Sequence, residues 1–157
     1  MIVGVDVSSR RIDLAWLENG KPQRWHQELA KGHLIDRLRS IRIQWPDVWS
    51  YPENALTDVA IEYPFGRGNA IAALMATVGV ITRQAPPWAR VAWPSAGELR
   101  AAIGARNTKE SAHAAIEQLM GRHWLHDAYS AVYDWDEHEL DALVACIGWT
   151  RILEANE

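Results

Sequence analysis

Two carboxylates stand inside runs that otherwise read as apolar, buried strands. Asp6 interrupts IVGVDV, and Glu62 closes the apolar stretch of DVAIEYP. Burying an unpaired carboxylate costs several kcal/mol, so a strand core keeps one only where a cation or a proton compensates it. Any fold proposed for this chain has to place both acids where that compensation exists. A third acid, Asp141, lies one turn inside a final helical segment, directly before ALVACIGW, with His138 three residues earlier on the same helical face. Hard oxygen donors converging from separate elements are the set that Mg²⁺ selects. Ordinary structural roles compete residue by residue: Asp6 paired with Arg10 or Arg11, Glu62 bonded to backbone at a strand end, His138 simply solvated. Together they would require several coincidences.

The run of elements around these acids is that of an α/β domain. IVGVDV (2–7) and RIDLAWLE read as strands joined by the polar SSRR, with Ile12, Leu14 and Trp16 alternating with Asp13 and Ala15. Asn19-Gly20 is a strong hairpin signal, leading to a third strand over roughly 22–29. Leu34, Ile35, Leu38 and Ile41 recur at helical spacing and predict a helix over 33–44. After a Pro- and Trp-containing loop at 45–57 come a fourth strand ended by Pro64, an apolar helix over 68–83, and a fifth strand in ARVAWPS. A short helix in SAGELRAAIG stops at Gly104. Asn107 with Glu110, and Asp136 with Glu139, have the spacing of capping boxes opening helices to about 120 and 154. Ala145 and Gly148 would let the last helix lie close to a sheet or a substrate, with Leu140, Leu143, Val144 and Ile147 packing on its opposite face. The expected fold is a five-stranded mixed sheet, three antiparallel strands followed by crossover parallel strands, with helices on both faces.

Composition narrows the function classes. At 157 residues, 48% hydrophobic and 23% charged, the chain suits one globular domain, 1–157, with no internal linker or repeat. Its single cysteine, Cys146, cannot form an internal disulfide, which points to a reducing cytoplasm. The longest uncharged stretch, between Arg67 and Arg83, is shorter than the roughly 18 apolar residues of a membrane span. MIVGVDVSSRR has no charged leader before its apolar run and does not read as a signal peptide. The net charge of −4 argues weakly against a nucleic-acid partner, but residues 101–157 hold ten acidic and four basic residues, and the run DWDEHELD concentrates that acidity. The nine tryptophans follow no repeat and read chiefly as packing residues.

GVDVSSR, AIEYPFG and HELDALVACIGW, in that order, resemble the three acidic motifs of RuvC-type Holliday junction resolvases, and ELRAAIGARNTKESA resembles the family's lysine-bearing segment. The resemblance spans almost the whole chain. It implies a ribonuclease H-like fold, a homodimer (here through the apolar helix 68–83), and Mg²⁺-dependent nicking of branched DNA, with Mn²⁺ as a substitute cofactor. It implies metal ligation by Asp6, Glu62, His138 and Asp141, with Asp6 bridging two ions, and a phosphate-steadying role for Lys109. DNA contacts are implied for Phe65, Arg67, Arg100, Arg106 and Lys109. Phe65 matches an aromatic wedge at the junction centre, and packing beneath the next helix explains it equally well. Ser8 departs from the residue types usual after the first aspartate, and the chain is more acidic than cellular resolvases. Compact members of this kind occur in bacteriophages, where the host cytoplasm is the working compartment. Other readings are a YqgF-type nuclease acting on RNA, a transposase-like nuclease (the end directly after the last acidic helix argues against it), and a catalytically silent branched-DNA-binding protein.

Overall fold

A computed structural model describes residues 1–46, 56–64, 69–123, 132 and 134–157. Strands β1 (Ile2–Val7), β2 (Arg11–Glu18) and β3 (Lys21–Glu28) form the expected antiparallel meander. Asn19 and Gly20 both have positive φ, 51° and 76°, the conformation a two-residue hairpin turn demands. At the first turn Ser8 Oγ accepts from the Arg11 N–H at 2.9 Å, so the serine following the first acid serves to close the β1–β2 connection. Next come α1 (Leu34–Ser40), β4 (Asp58–Ile61), α2 (Asn69–Gln84), β5 (Arg90–Ala92), α3 (Ala96–Ala102), α4 (Lys109–His123) and α5 (Glu137–Glu154). The sheet order is β3-β2-β1-β4-β5, with β4 parallel to β1 and β5 parallel to β4.

Two cores lie on opposite faces of this sheet. Val3, Val5, Ile12 and Leu14 point to one side, against Val78 and Ile81 of α2 and Ile41 beyond α1. On the other side Ala15 meets Leu99 of α3, Ala112 and Ile116 of α4, and Ala142, Leu143 and Ala145 of α5. Strand β2 is therefore buried on both faces, Asp13 included. The contact that sets the second layer is backbone on backbone. A Cβ at Gly4 would lie 2.0 Å from the Ala142 carbonyl oxygen and 2.3 Å from the Cys146 nitrogen, so only glycine lets α5 settle onto β1.

Several local expectations change. The helix predicted over 33–44 ends at Ser40, because amide side chains capture the backbone beyond it. Gln27 Oε1 accepts from the Arg42 N–H at 2.8 Å, Gln84 Oε1 accepts from the Ile43 N–H at 3.2 Å, and Gln84 Nε2 donates to the Ile41 carbonyl at 3.1 Å. The capping box expected of Asn107 and Glu110 is instead a Thr108 cap, whose Oγ1 accepts from the Ser111 N–H at 3.2 Å, while Asn107 turns to Arg100. The Asp136–Glu139 box forms as expected, and Ser95 with Glu98 makes another at α3. In α5, burial runs around the whole helix from Asp141 to Gly148 instead of dividing into two faces. Gly148 serves α3 packing, its hydrogen facing the Leu99 carbonyl, while the close approach to the sheet comes from Gly4. Helix α2 buries Thr77, Val78 and Ile81 and leaves Met75 and Gly79 on an exposed side.

The two glycines give opposite expectations. Gly4→Ala should destabilise the protein by about 3 kcal/mol or more, since neither strand nor helix backbone can yield cheaply. Gly79→Ala, at an open helical position with nothing within 4 Å of the added carbon, should stabilise it by about 0.5–1 kcal/mol. Equilibrium denaturation of both variants checks the pair.

Candidate metal centre

Strand register lines the acids up. Residues 4, 6, 13 and 15 share the face covered by α5. Asp6 stands directly opposite Asp13 across β1–β2, and Asp13 stands opposite His26 across β2–β3. On the other flank the parallel register runs Gly4↔Ala60 and Val5↔Ile61, and the Glu62 N–H donates to the Val5 carbonyl at 3.3 Å. One step further along that register puts Glu62 beside Asp6. The two acids that the sequence singles out are neighbours on adjacent strand ends, and a row Glu62–Asp6–Asp13–His26 crosses the sheet.

Helix α5 brings the remaining groups over this row. His138 Nδ1 and Asp6 Oδ2 are 2.8 Å apart, a hydrogen bond joining residues 132 positions apart in the chain. One turn later Asp141, only 5% exposed, receives two basic groups from α4. Lys109 Nζ donates to Oδ2 at 2.5 Å, and His113 Nε2 lies 2.9 Å from Oδ1. Lys109 and His113 are spaced i, i+4 and so share a helical face. Asp6 is thus bonded to His138 and set beside Glu62, Asp141 is bonded to Lys109, and the charges of Asp6, Asp141 and Lys109 all act on Glu62. Arg100 reaches the margin: its guanidinium donates to Asn107 Oδ1 at 3.2 Å and its charge acts on Glu62. Arg106 is exposed beside α4, with its backbone N–H bonded to Ser111 Oγ at 2.9 Å. Phe65 and Arg67 lie outside the described residues.

Three residues near the centre had no place in the expected set. His113 was signalled only by its i, i+4 spacing from Lys109. Asp13 looked like the polar member of an alternating strand, yet it is fully buried. Arg11 donates through Nε to Asp13 Oδ1 at 2.7 Å, pairs with Asp136 at 2.5 Å and approaches Glu139 at 3.4 Å. The arginine pairing that competed with metal ligation as a role for Asp6 is made instead by Asp13. Arg24 from β3 holds Glu139 at 2.5 Å and Asp134 at 2.9 Å, lying over the Trp135 ring. These two arginines fasten the acidic start of α5 to β2 and β3. Most of the run DWDEHELD is therefore structural, as its capping pattern suggests.

Charge crowding shows in the titration of the groups. Burial, then the charges of Asp6 and Asp141, push Glu62 up to about 7 against the pull of Arg100 and Lys109. Burial also lifts Asp13 to about 6, with Arg11 opposing it and Asp6 adding to it. The hydrogen bond to Asp6 raises His138 despite its partial burial. Burial disfavours a charged Lys109, but the hydrogen bond and charge of Asp141 outweigh this and raise its pKa. A half-buried carboxylate raised first by burial and then by two other carboxylates is the electrostatic setting a divalent cation would relieve, and oxygen donors with one imidazole are a suitable set for it.

Sheet order, crossover pattern and helices on both faces are those of the ribonuclease H-like, RuvC-type fold. Among solved structures, that of RuvC from T. thermophilus in complex with Holliday junction substrate matches with a TM-score of 0.69, over 98% of this chain and 94% of that one, at 12% identity. No protein-family model and no curated protein matches the chain. Among the described residues, no helix is long and apolar enough to cross a membrane.

Carboxyl groups raised in the folded state stabilise it below their unfolded pKa and lose that contribution as pH rises through the folded value. For Glu62 the window runs from about 4.5 to about 7. In chelator-treated buffer the protein should lose stability across that range. Glu62→Gln should flatten the decline, as read from denaturation midpoints at successive pH values.

Proposed function

We propose that this protein is a divalent-metal-dependent endonuclease of the RuvC type, cutting branched DNA and in particular four-way junctions. The observation that carries the reading is a RuvC-type fold whose register sets Glu62 beside Asp6, with His138 bonded to Asp6 and with the charges of Asp141 and its partner Lys109 acting on Glu62. Asp6, Glu62, Asp141 and His138 would hold the metal. Bound divalent cations, Mg²⁺ or Mn²⁺, would acidify water and neutralise charge on a phosphodiester.

The chain's own groups supply the rest. The Asp6–His138 hydrogen bond fixes the ring through Nδ1, which places a group able to accept or return a proton beside the metal-binding carboxylates. Lys109, in the first turn of α4, carries its ammonium at Asp141 and can turn to a phosphate oxygen entering the same space, next to the free N–H groups of the helix start. His113 keeps Asp141 oriented from the opposite oxygen. Arg100, whose charge acts on Glu62, and the exposed Arg106 would contact a nucleic-acid backbone, as would Phe65 and Arg67, which follow Glu62 in the sequence. The reading takes the whole chain as one nuclease domain, working as a homodimer through the exposed side of α2 in the cytoplasm, that of the host if a bacteriophage encodes it.

Purified protein should nick a synthetic four-way junction only with Mg²⁺ or Mn²⁺ present. Asp6→Asn should lower cleavage by more than about a hundredfold, beyond the cost of an outer-shell change, while junction binding in a gel-shift assay persists. Undiminished cleavage by that variant rejects the metal-centre reading. A panel of junction, fork and structured RNA separates junction resolution from the RNA-directed alternative. His113→Ala, which touches Asp141 and not the metal, should cost about 10–100-fold in metal affinity or rate.

A further inference from the structure

The row of side chains across the sheet extends one residue deeper than the metal centre just described. Asp13 lies directly opposite Asp6 on the antiparallel partner strand. Like charges facing each other across a strand pair destabilise a sheet unless a counter-charge lies between them. Asp13 is 0% exposed, and while Arg11 occupies its Oδ1, its Oδ2 is buried with no hydrogen-bond partner among the described residues. A carboxylate oxygen left in that condition is costly to keep, more so than a neutral acceptor. Asp6, Asp13 and His138 each offer one ligand atom, all within 4.8 Å of one another.

A second grouping, Asp13 with His26 and Glu139, meets the same distance criterion, but both Glu139 oxygens there already have basic or N–H partners. Glu139 Oε2 is taken by Arg24 at 2.5 Å and by the Asp136 N–H at 3.0 Å, and Oε1 faces Arg11 at 3.4 Å and His26 at 3.6 Å. Arg11 and Arg24 are shared among four carboxylates there, and neither contacts Asp6. The oxygen of Asp13 that lacks a partner among the described residues is Oδ2, while neither Asp6 nor His138 is engaged by Arg11 or Arg24.

We propose that Asp13 is a further ligand of the cation centre, its Oδ2 joining Asp6 and the His138 ring to hold a divalent cation at the floor of the site. The inference rests on the metal-centre reading above and adds to it a carboxylate from β2. Arg11 acts behind it as a positioning residue, fixing Asp13 through Oδ1, as ligating carboxylates are commonly held by a second hydrogen bond. Two carboxylates and an imidazole suit Mn²⁺ better than Ca²⁺, because the nitrogen is a softer donor than an all-oxygen site offers.

Mn²⁺ serves as probe. Calorimetric titration of metal-free protein should show Asp13→Asn weakening Mn²⁺ binding about tenfold or more, with Asp6→Asn and Asp141→Asn as comparisons. A folded Asp13→Asn protein that binds Mn²⁺ as the unaltered protein does overturns the assignment. If Asp6→Asn and Asp141→Asn weaken binding while Asp13→Asn does not, the metal centre stands and Asp13 alone drops out. If none of the three changes affinity, the centre itself is lost. Anomalous diffraction from crystals of the unaltered protein grown with Mn²⁺ decides the matter without a variant. A manganese peak at coordination distance from Asp13 Oδ2 supports the proposal, and one bound only by Asp6, Glu62 or Asp141 overturns it.

Discussion

Everything near the centre depends on α5 lying directly on β1, and that depends on a missing side chain. With Gly4 beneath Ala142 and Cys146, helix and strand approach until their backbones touch. Asp6 is two residues along β1 on the same face, and on α5 Asp141 immediately precedes Ala142 while His138 lies one turn before it, toward the helix start. A thicker interface would separate the carboxylates of strand and helix beyond the reach of one hydrogen bond or one ion. Arg11 and Arg24 fix the remaining freedom of the helix by binding its acidic first turn to β2 and β3. The packing of the molecule and the geometry of its polar centre are consequently a single problem, solved by glycine on one side and ion pairs on the other.

The electrostatics follow from that placement. A sheet normally alternates one buried face with one solvated face, but here α2 covers one face and α3, α4 and α5 the other, so the acids of the central strands keep little contact with water: Asp13 none, Asp6 and Glu62 part. The molecule spreads the burden across basic groups from several elements: Arg11 from β2, Arg24 from β3, Lys109 and His113 from α4, and His138 from α5. Asp58, another buried strand acid, is satisfied in the ordinary way by Arg90 at 2.5 Å and the Trp149 ring N–H at 3.4 Å. Among the described residues no arginine is hydrogen-bonded to Glu62, and burial with the neighbouring acids raises its pKa to about 7.

Much of this was legible in the chain. Lone acids in apolar strands, the Asn-Gly turn, the Asp136–Glu139 cap and the helical face shared by His138 and Asp141 are local patterns with direct physical causes, and from them the fold, the neighbouring of Asp6 and Glu62 and the placing of α5 over the strand acids could be read. The failures have a common origin in long-range partners. Nothing near Ile41 reveals that Gln27 and Gln84 will compete for its backbone and end α1. Strand alternation marked Asp13 as polar but could not tell that α5 would cover that face. Gly148 was assigned to the approach between helix and sheet, a role that falls to Gly4, because spacing identifies small residues without identifying what they touch.

The register of the sheet carries one more consequence. Asp6 and Asp13 meet through a short hairpin, whereas Glu62, Lys109 and Asp141 come from elements each separated by dozens of residues. Closing such long loops is slow and is rewarded only when the distant segments finally pack. By loop length the contacts of Glu62, Lys109 and Asp141 would form after that hairpin. An incomplete chain would already set Asp6 against Asp13 while the lysine and histidines of α4 and α5 that lie near them had yet to arrive.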